Sequence, residues 1–291
     1  MGTHTGTLSR VPLTEGSAPG QDADTDFDRA TAVTRTEGGG LTADLDPGWD
    51  VGVGVLNGGY LLSVAARAAV LDSPHPHPVA LSASFLRGAS AGPVSLTVTP
   101  GPAGRTLAHA LVTMADATGT VLTVQATTAT LGDAGPDRAA PMPDAPPPEE
   151  CWSITENAHR APTGLHPPGL TERVETRLTP DTCGWAVGRS SAEPLLRAWV
   201  RFADGRAPDP LGLVTFADVL PPTTWATGLF GWAPTVQLQV LVRALPAPGW
   251  CLVESRGGQL AGGWHDEDYR IWDSTGRLVA QSRQLARAPR S

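Results

Sequence analysis

The sequence contains no lysine. All 21 of its basic residues are arginines, set against 29 acidic residues for a net charge of −8. An acidic chain repels a phosphate backbone, which argues against a nucleic-acid-binding role. Cysteine is scarce: Cys151, Cys183 and Cys251 stand alone, odd in number and without CxxC spacing. That excludes a disulfide framework or a thiolate zinc site and leaves buried thiols as the expectation. No apolar run approaches the ~18 residues of a membrane span. Residues 1–20 lack the basic start and apolar stretch of a secretory leader. A soluble, cytoplasmic protein without a membrane partner is expected. There is no GxSxG, so no serine-hydrolase elbow.

What is present is enough apolar material for a sizeable core, 41% of 291 residues, and a length that favours two domains or one large one. Residues 1–25 are small and polar and read as a disordered tail. Residues 132–150 hold six prolines and read as an extended linker. The expected units are therefore an N-terminal domain over 26–131 and a C-terminal domain over 151–291. The two resemble each other. Asp116-Ala-Thr-Gly and Asp273-Ser-Thr-Gly lie 157 residues apart, each between two apolar alternating runs. Each predicts a hairpin in which Asp caps the turn and Gly takes a positive φ. The repetition points to a duplicated domain.

In the first unit, 29–36 and 40–45 read as extended and Leu56–Leu71 as a helix, with Asn57 as N-cap and Asp72-Ser-Pro74 as the stop. That helix is apolar nearly all round, so it must be buried. Strands are expected at 79–87, 93–100, 105–115 and 121–131. The second unit repeats the plan, with strands at 172–178 and 196–203, a shorter helix at Asp209–Leu220, then strands at 234–243, 250–256, 263–273 and 277–286. One central helix against a long antiparallel sheet, made twice, is an α+β architecture.

Several motifs fall in order on this plan: Asn57-Gly58-Gly59-Tyr60, Leu81-Ser-Ala-Ser-Phe-Leu-Arg87, Ala217-Asp218, Pro234-Thr235, Pro248-Gly-Trp250 and the run from Trp272 to Gln284. In these the chain resembles the acyl-CoA thioesterases of the thioesterase II (TesB-like) type, in their actinobacterial branch. The resemblance spans about residues 27–288. It implies a double hot-dog fold and hydrolysis of an acyl-CoA or acyl-carrier-protein thioester, as in fatty acid metabolism, by an activated water. It also implies catalytic residues on Asp218, Thr235 and Gln284 and no metal or other cofactor. Because hot-dog sheets expose long edges, the halves are expected to pair within one chain and two chains to associate as a homo-oligomer.

The residue types suit this chemistry. A carboxylate can take a proton from attacking water, and Thr and Gln can hold that water in place. The amides of Gly58, Gly59 and Tyr60 open a helix, where unpaired N–H groups favour negative charge, so they are candidates to bind the thioester oxyanion. Tyr60 is expected to border an acyl channel. Other roles stand beside these: close helix packing for Gly58-Gly59, helix termination for Asp218, an ordinary strand position for Thr235. Alternation puts Ser282 and Gln284 on one face of the last strand. Gln239 stands where relatives often carry a small hydroxyl residue, and Trp225 and Trp232 either shape the pocket or anchor the core. His75 and His77 read as a solvated loop, and His265-Asp266-Glu267-Asp268 as a solvated face. Two further functions remain open: a non-hydrolytic acyl- or polyketide-binding protein, and a hydratase or dehydratase, for which His265/Asp266 is the nearest acid–His pair.

Overall fold

The structure, a computed structural model, describes residues 25–52, 54–157 and 168–289. All but the last residue of the expected tail lies outside these. The first half runs α1 (Asp26–Ala30), β1 (Thr34–Arg35), β2 (Leu41–Leu45), α2 (Gly58–Leu71), β3 (His77–Phe85), β4 (Gly92–Ala103), β5 (Leu107–Asp116) and β6 (Gly119–Ala129). After the proline-rich segment come β7 (Trp152–Ser153), α3 (Ile154–Asn157), α4 (Leu170–Arg173), β8 (Val174–Leu178), β9 (Leu195–Phe202), α5 (Pro210–Phe216), β10 (Thr235–Val242), β11 (Cys251–Ala261), β12 (Trp264–Trp272) and β13 (Leu278–Arg287). One sheet holds thirteen strands in the order β1-β2-β4-β5-β6-β3-β10-β13-β12-β11-β9-β8-β7.

The order shows the duplication. Outward from the centre, β3, β6, β5 and β4 answer β10, β13, β12 and β11. The seam is the antiparallel pair β3·β10, with Ala83 opposite Leu238 and Leu81 opposite Val240. The helices α2 and α5 pack on each other and against the sheet. This is the expected α+β double hot-dog plan, and it explains why α2 is apolar nearly all round: strands cover one side and α5 the other. Fully burying side chains such as Leu61, Leu62 and Val64 contributes about 1.5–3 kcal/mol each.

Two segments depart from expectation. The stretch from 29 was expected to be extended, but Thr25 caps a short helix: its hydroxyl accepts from the Asp28 amide, and Phe27 is buried against Trp49 and Phe202. The proline-rich segment does not stand clear of the fold. Trp199 Nε1 donates to Pro146 O at 2.8 Å, Trp272 Nε1 donates to Ala140 O at 3.1 Å, and Met142 packs beside Trp199 and Leu252. The segment offers carbonyls that no strand pairs, and two indoles use those of Pro146 and Ala140.

The two Asp-X-Thr-Gly turns are built alike. Asp116 Oδ1 accepts from the Thr118 amide and hydroxyl, and Asp273 Oδ1 from those of Thr275. Gly119 and Gly276 take φ of 130° and 81°, which a side chain would strain. Asp273 is buried and also accepts from the Ala247 and Arg277 amides. Burial opposes its charge, yet these hydrogen bonds hold its pKa below the ordinary carboxylate value. A lowered folded pKa means its stabilisation is complete above the unfolded value and is lost as pH falls through the folded one. Asp273→Ala should therefore lower unfolding stability at pH 7 by about 2 kcal/mol. Asp116→Ala should cost less, and the gap should close in acid; urea unfolding at pH 7 and pH 3 checks both.

Candidate active site

Asp218 lies just past the end of α5. The helix cannot continue into Pro221-Pro222, and its last turn is anchored by Ser282 Oγ, which donates to Ala217 O at 2.8 Å. The side chain of Asp218 does not cap its own helix. It crosses to the other half of the molecule, where the Gly59 amide donates to Oδ2 at 2.9 Å. Asn57 Nδ2 donates to the Asp218 carbonyl at 2.8 Å and approaches Oδ2 at 3.4 Å. The glycines make room for this. A Cβ on Gly58 would stand 2.8 Å from Asp218 Oδ2, and one on Gly59 would stand 2.7 Å from the Thr215 carbonyl of α5. At Gly59 the close helix packing weighed from the sequence holds, and the amide is engaged by Asp218.

Thr235 and Gln284 meet on neighbouring strands. Thr235 Oγ1 donates to Gln284 Oε1 at 2.7 Å. Alternation along β10 from inward-facing Leu238 would turn Thr235 outward. A register shift between Thr235 and Gln237 places Thr235 opposite Ala286 instead, on the inner face with Gln284. Ser282 and Gln284 share that face, as expected. Gln284 Nε2 donates to Glu267 Oε2 at 2.8 Å.

Asp218, Thr235 and Gln284 line one cavity of about 650 Å³, together with Gly58, Leu61, Trp185, Trp225, Trp232 and His265. Trp225 meets Trp185 edge to face at 5.2 Å between ring centres, so the tryptophans shape the pocket wall. Gln239 is exposed, away from the cavity.

Several expectations need correction. The amides opening α2 are not an unoccupied cradle: Gly59 serves Asp218, and Tyr60 N–H serves the Asn57 side chain at 2.9 Å. Tyr60 is not in the cavity wall. It is fully buried, stacked on Trp49, with its hydroxyl donating to Ala30 O at 2.7 Å. The His265–Asp268 run is not a solvated face. His265 and Glu267 are buried, while Asp266 turns outward to Arg283, which separates the suggested acid–His pair. His75 is buried rather than solvated, its Nε2 at 3.0 Å from Gly104 O, and His77 Nδ1 accepts from the Leu131 amide. In the sequence Glu267 stands only as one member of the polar His265–Asp268 run, with no separate role. The available signal was strand alternation, which sets residues 265 and 267 on one face.

Burial pushes the Asp218 carboxyl up to about 7, against the Gly59 and Gly58 amides that favour its charge and with the negative charge of Glu267 adding to the rise. A carboxylate poised near neutrality, facing a cavity, is suited to taking and returning a proton. Among the described residues, no three His, Cys, Asp or Glu side chains converge as a metal site, and no helix is long and apolar enough to cross a membrane.

Comparison with known proteins bears on the family and the fold. The acyl-CoA thioesterase N-terminal domain model matches residues 45–130, and the C-terminal domain model matches residues 136–288. An uncharacterized Mycobacterium tuberculosis protein is 32% identical over 278 residues, spanning 84% of this chain and 90% of its own. A solved protein assigned as a thioesterase II from Thermobifida fusca is 38% identical with a TM-score of 0.82, covering 91% of this chain and 98% of its own. One assigned as a thioesterase from Novosphingobium aromaticivorans is 26% identical with a TM-score of 0.73, covering 89% and 99%.

Gly59→Ala should force α2 and α5 apart, because the obstructing atom is a backbone carbonyl. The expected loss is about 1–3 kcal/mol, read as a lower thermal midpoint; an unchanged midpoint would show that the crossing can relax.

Proposed function

The chain belongs to the acyl-CoA thioesterase family, and on that premise we propose that a water held by Asp218, Thr235 and Gln284 carries out the thioester hydrolysis. The supporting observation is that these three residues, drawn from a helix end and two strands, line one cavity, with the acid raised to about 7. Thr235 spends its proton on Gln284 Oε1, so its lone pairs remain to accept. Water donating one hydrogen to Asp218 and the other to Thr235, whose hydroxyl Gln284 fixes, keeps a lone pair for the thioester carbon. As the C–O bond forms, Asp218 takes the water proton. As the C–S bond breaks, Asp218 returns that proton to the departing sulfur. The products are the free acid and the thiol, and no cofactor enters the balance.

The carrier is coenzyme A in this reading, with an acyl-carrier protein as the other source of the same thioester. Leu61, Leu170 and Trp225 offer the acyl chain an apolar wall. A base at Asp218 must be ionised to work, so kcat/KM should rise with pH through about 7. Asp218→Asn should lower kcat by about 100–10,000-fold and abolish that rise. Thiol release from a panel of acyl-CoAs, measured from pH 5 to 9, tests both. Parental turnover in the Asn variant would remove Asp218 as the base. Ligand-dependent thermal stabilisation without thiol release would favour a binding protein instead.

A further inference from the structure

Behind the proposed site lies a carboxylate with no assigned role. Glu267, on β12, is completely buried. Its Oε1 accepts from the Thr223 amide at 2.6 Å and the Thr223 hydroxyl at 3.0 Å. Its Oε2 accepts from Gln284 Nε2 at 2.8 Å and lies 3.4 Å from Ser255 Oγ. His265 Nδ1 stands 3.5 Å from Oε1. A buried carboxylate is costly unless several donors satisfy it, and here three elements supply them.

We propose that Glu267 is a positioning residue of the hydrolytic site, holding the side-chain amide of Gln284 in the one orientation that presents Oε1 to Thr235. The inference rests on the water-holding roles given above to Thr235 and Gln284. The logic is one of donors and acceptors. A glutamine amide can turn end for end, and a threonine hydroxyl satisfies either end, donating to the oxygen or accepting from the nitrogen. Thr235 alone therefore does not select the orientation. An ionised carboxylate only accepts, so it admits only the NH2 end of Gln284. That choice turns Oε1 to Thr235, commits the Thr235 proton there, and leaves the Thr235 oxygen as an acceptor for water. Removing Glu267 would let Gln284 turn over and make Thr235 an acceptor already engaged.

Glu267 has a second effect through space, since its charge adds to the rise of the Asp218 pKa. Asp218 is faced by the Gly58 and Gly59 amides, Asn57, Glu267 and Tyr269. Burial holds the Tyr269 pKa well above its ordinary value, so that hydroxyl stays neutral through the working range. Glu267 itself is faced by Thr223, Ser255, Gln284, His265 and Tyr269.

The test is a double-mutant cycle on the full chain, with acyl-CoA hydrolysis as readout. Glu267→Gln should lower kcat by about 100-fold, the scale of a misplaced catalytic group, with KM little changed. It should also move the acid limb of the pH profile downward. In a Gln284→Ala background the same substitution should have little further effect on kcat, because the group it positions is gone. Glu267→Asp keeps the charge but withdraws it by one methylene, so it should lose kcat while keeping the acid limb, and it serves should the Gln variant not fold. Independent, multiplying losses from Glu267→Gln and Gln284→Ala would overturn the proposal, as would parental kcat in Glu267→Asp. Parental kcat in Gln284→Ala alone would overturn the reading of the site itself, and this role with it.

Discussion

The site depends on one contact between the two halves: the Asp218 carboxylate against the first turn of α2, with the Gly59 amide at 2.9 Å. A helix start carries unpaired N–H groups and partial positive charge, so it favours an anion. Here the anion belongs to the protein. The contact requires glycine at 59, because any side chain would meet the Thr215 carbonyl. It also requires α5 to stop where it does, so that the following residue turns across the helix crossing. Packing and chemistry are set by the same few atoms. Burial raises the acid toward neutrality while the helix start limits the rise, and the balance leaves a group that can exchange a proton at working pH.

Most of the fold was legible because its causes are local. The 157-residue repetition of Asp-X-Thr-Gly marks two hairpins with the same hydrogen bonds. The all-round apolar Leu56–Leu71 segment required cover on every side, and α5 and the sheet supply it. The stretch from Thr25 was less legible. Its capping pattern is short, and what holds the helix is Phe27 reaching Phe202 in the other half, which no local window contains. The proline-rich segment looked free because its composition suits a free chain. Its tethers are two distant indoles.

The site was legible in its members more than in its wiring. Asp218, Thr235 and Gln284 came from resemblance, and the structure brings them to one cavity. Strand alternation from Leu238 would have set Thr235 outward; the register shift that turns it inward has no composition signature. The helix-opening amides were expected to meet a substrate oxyanion, but Gly59 meets the Asp218 side chain and Tyr60 the Asn57 side chain. Tyr60 was drawn toward the site by its neighbours in sequence, yet a helix turns about 100° per residue, and its ring lies on the side that faces Trp49. Glu267 was concealed among charged neighbours: a run of four polar residues on a strand presents two faces, and only one of them is wet.

The two halves repeat the same plan but not the same ends. The helix α2 opens on Asn-Gly-Gly, whereas α5 opens on Asp209-Pro210, with the Asp209 carboxylate accepting from Gly212 N–H and held by Arg206. The second helix start is thus stoppered by its own chain, and the acid that follows α5 serves the first start alone. Fusing two copies has released them from matching obligations: one supplies the receptive helix and the other the acid that fills it, so this crossing is asymmetric although the sheet around it repeats.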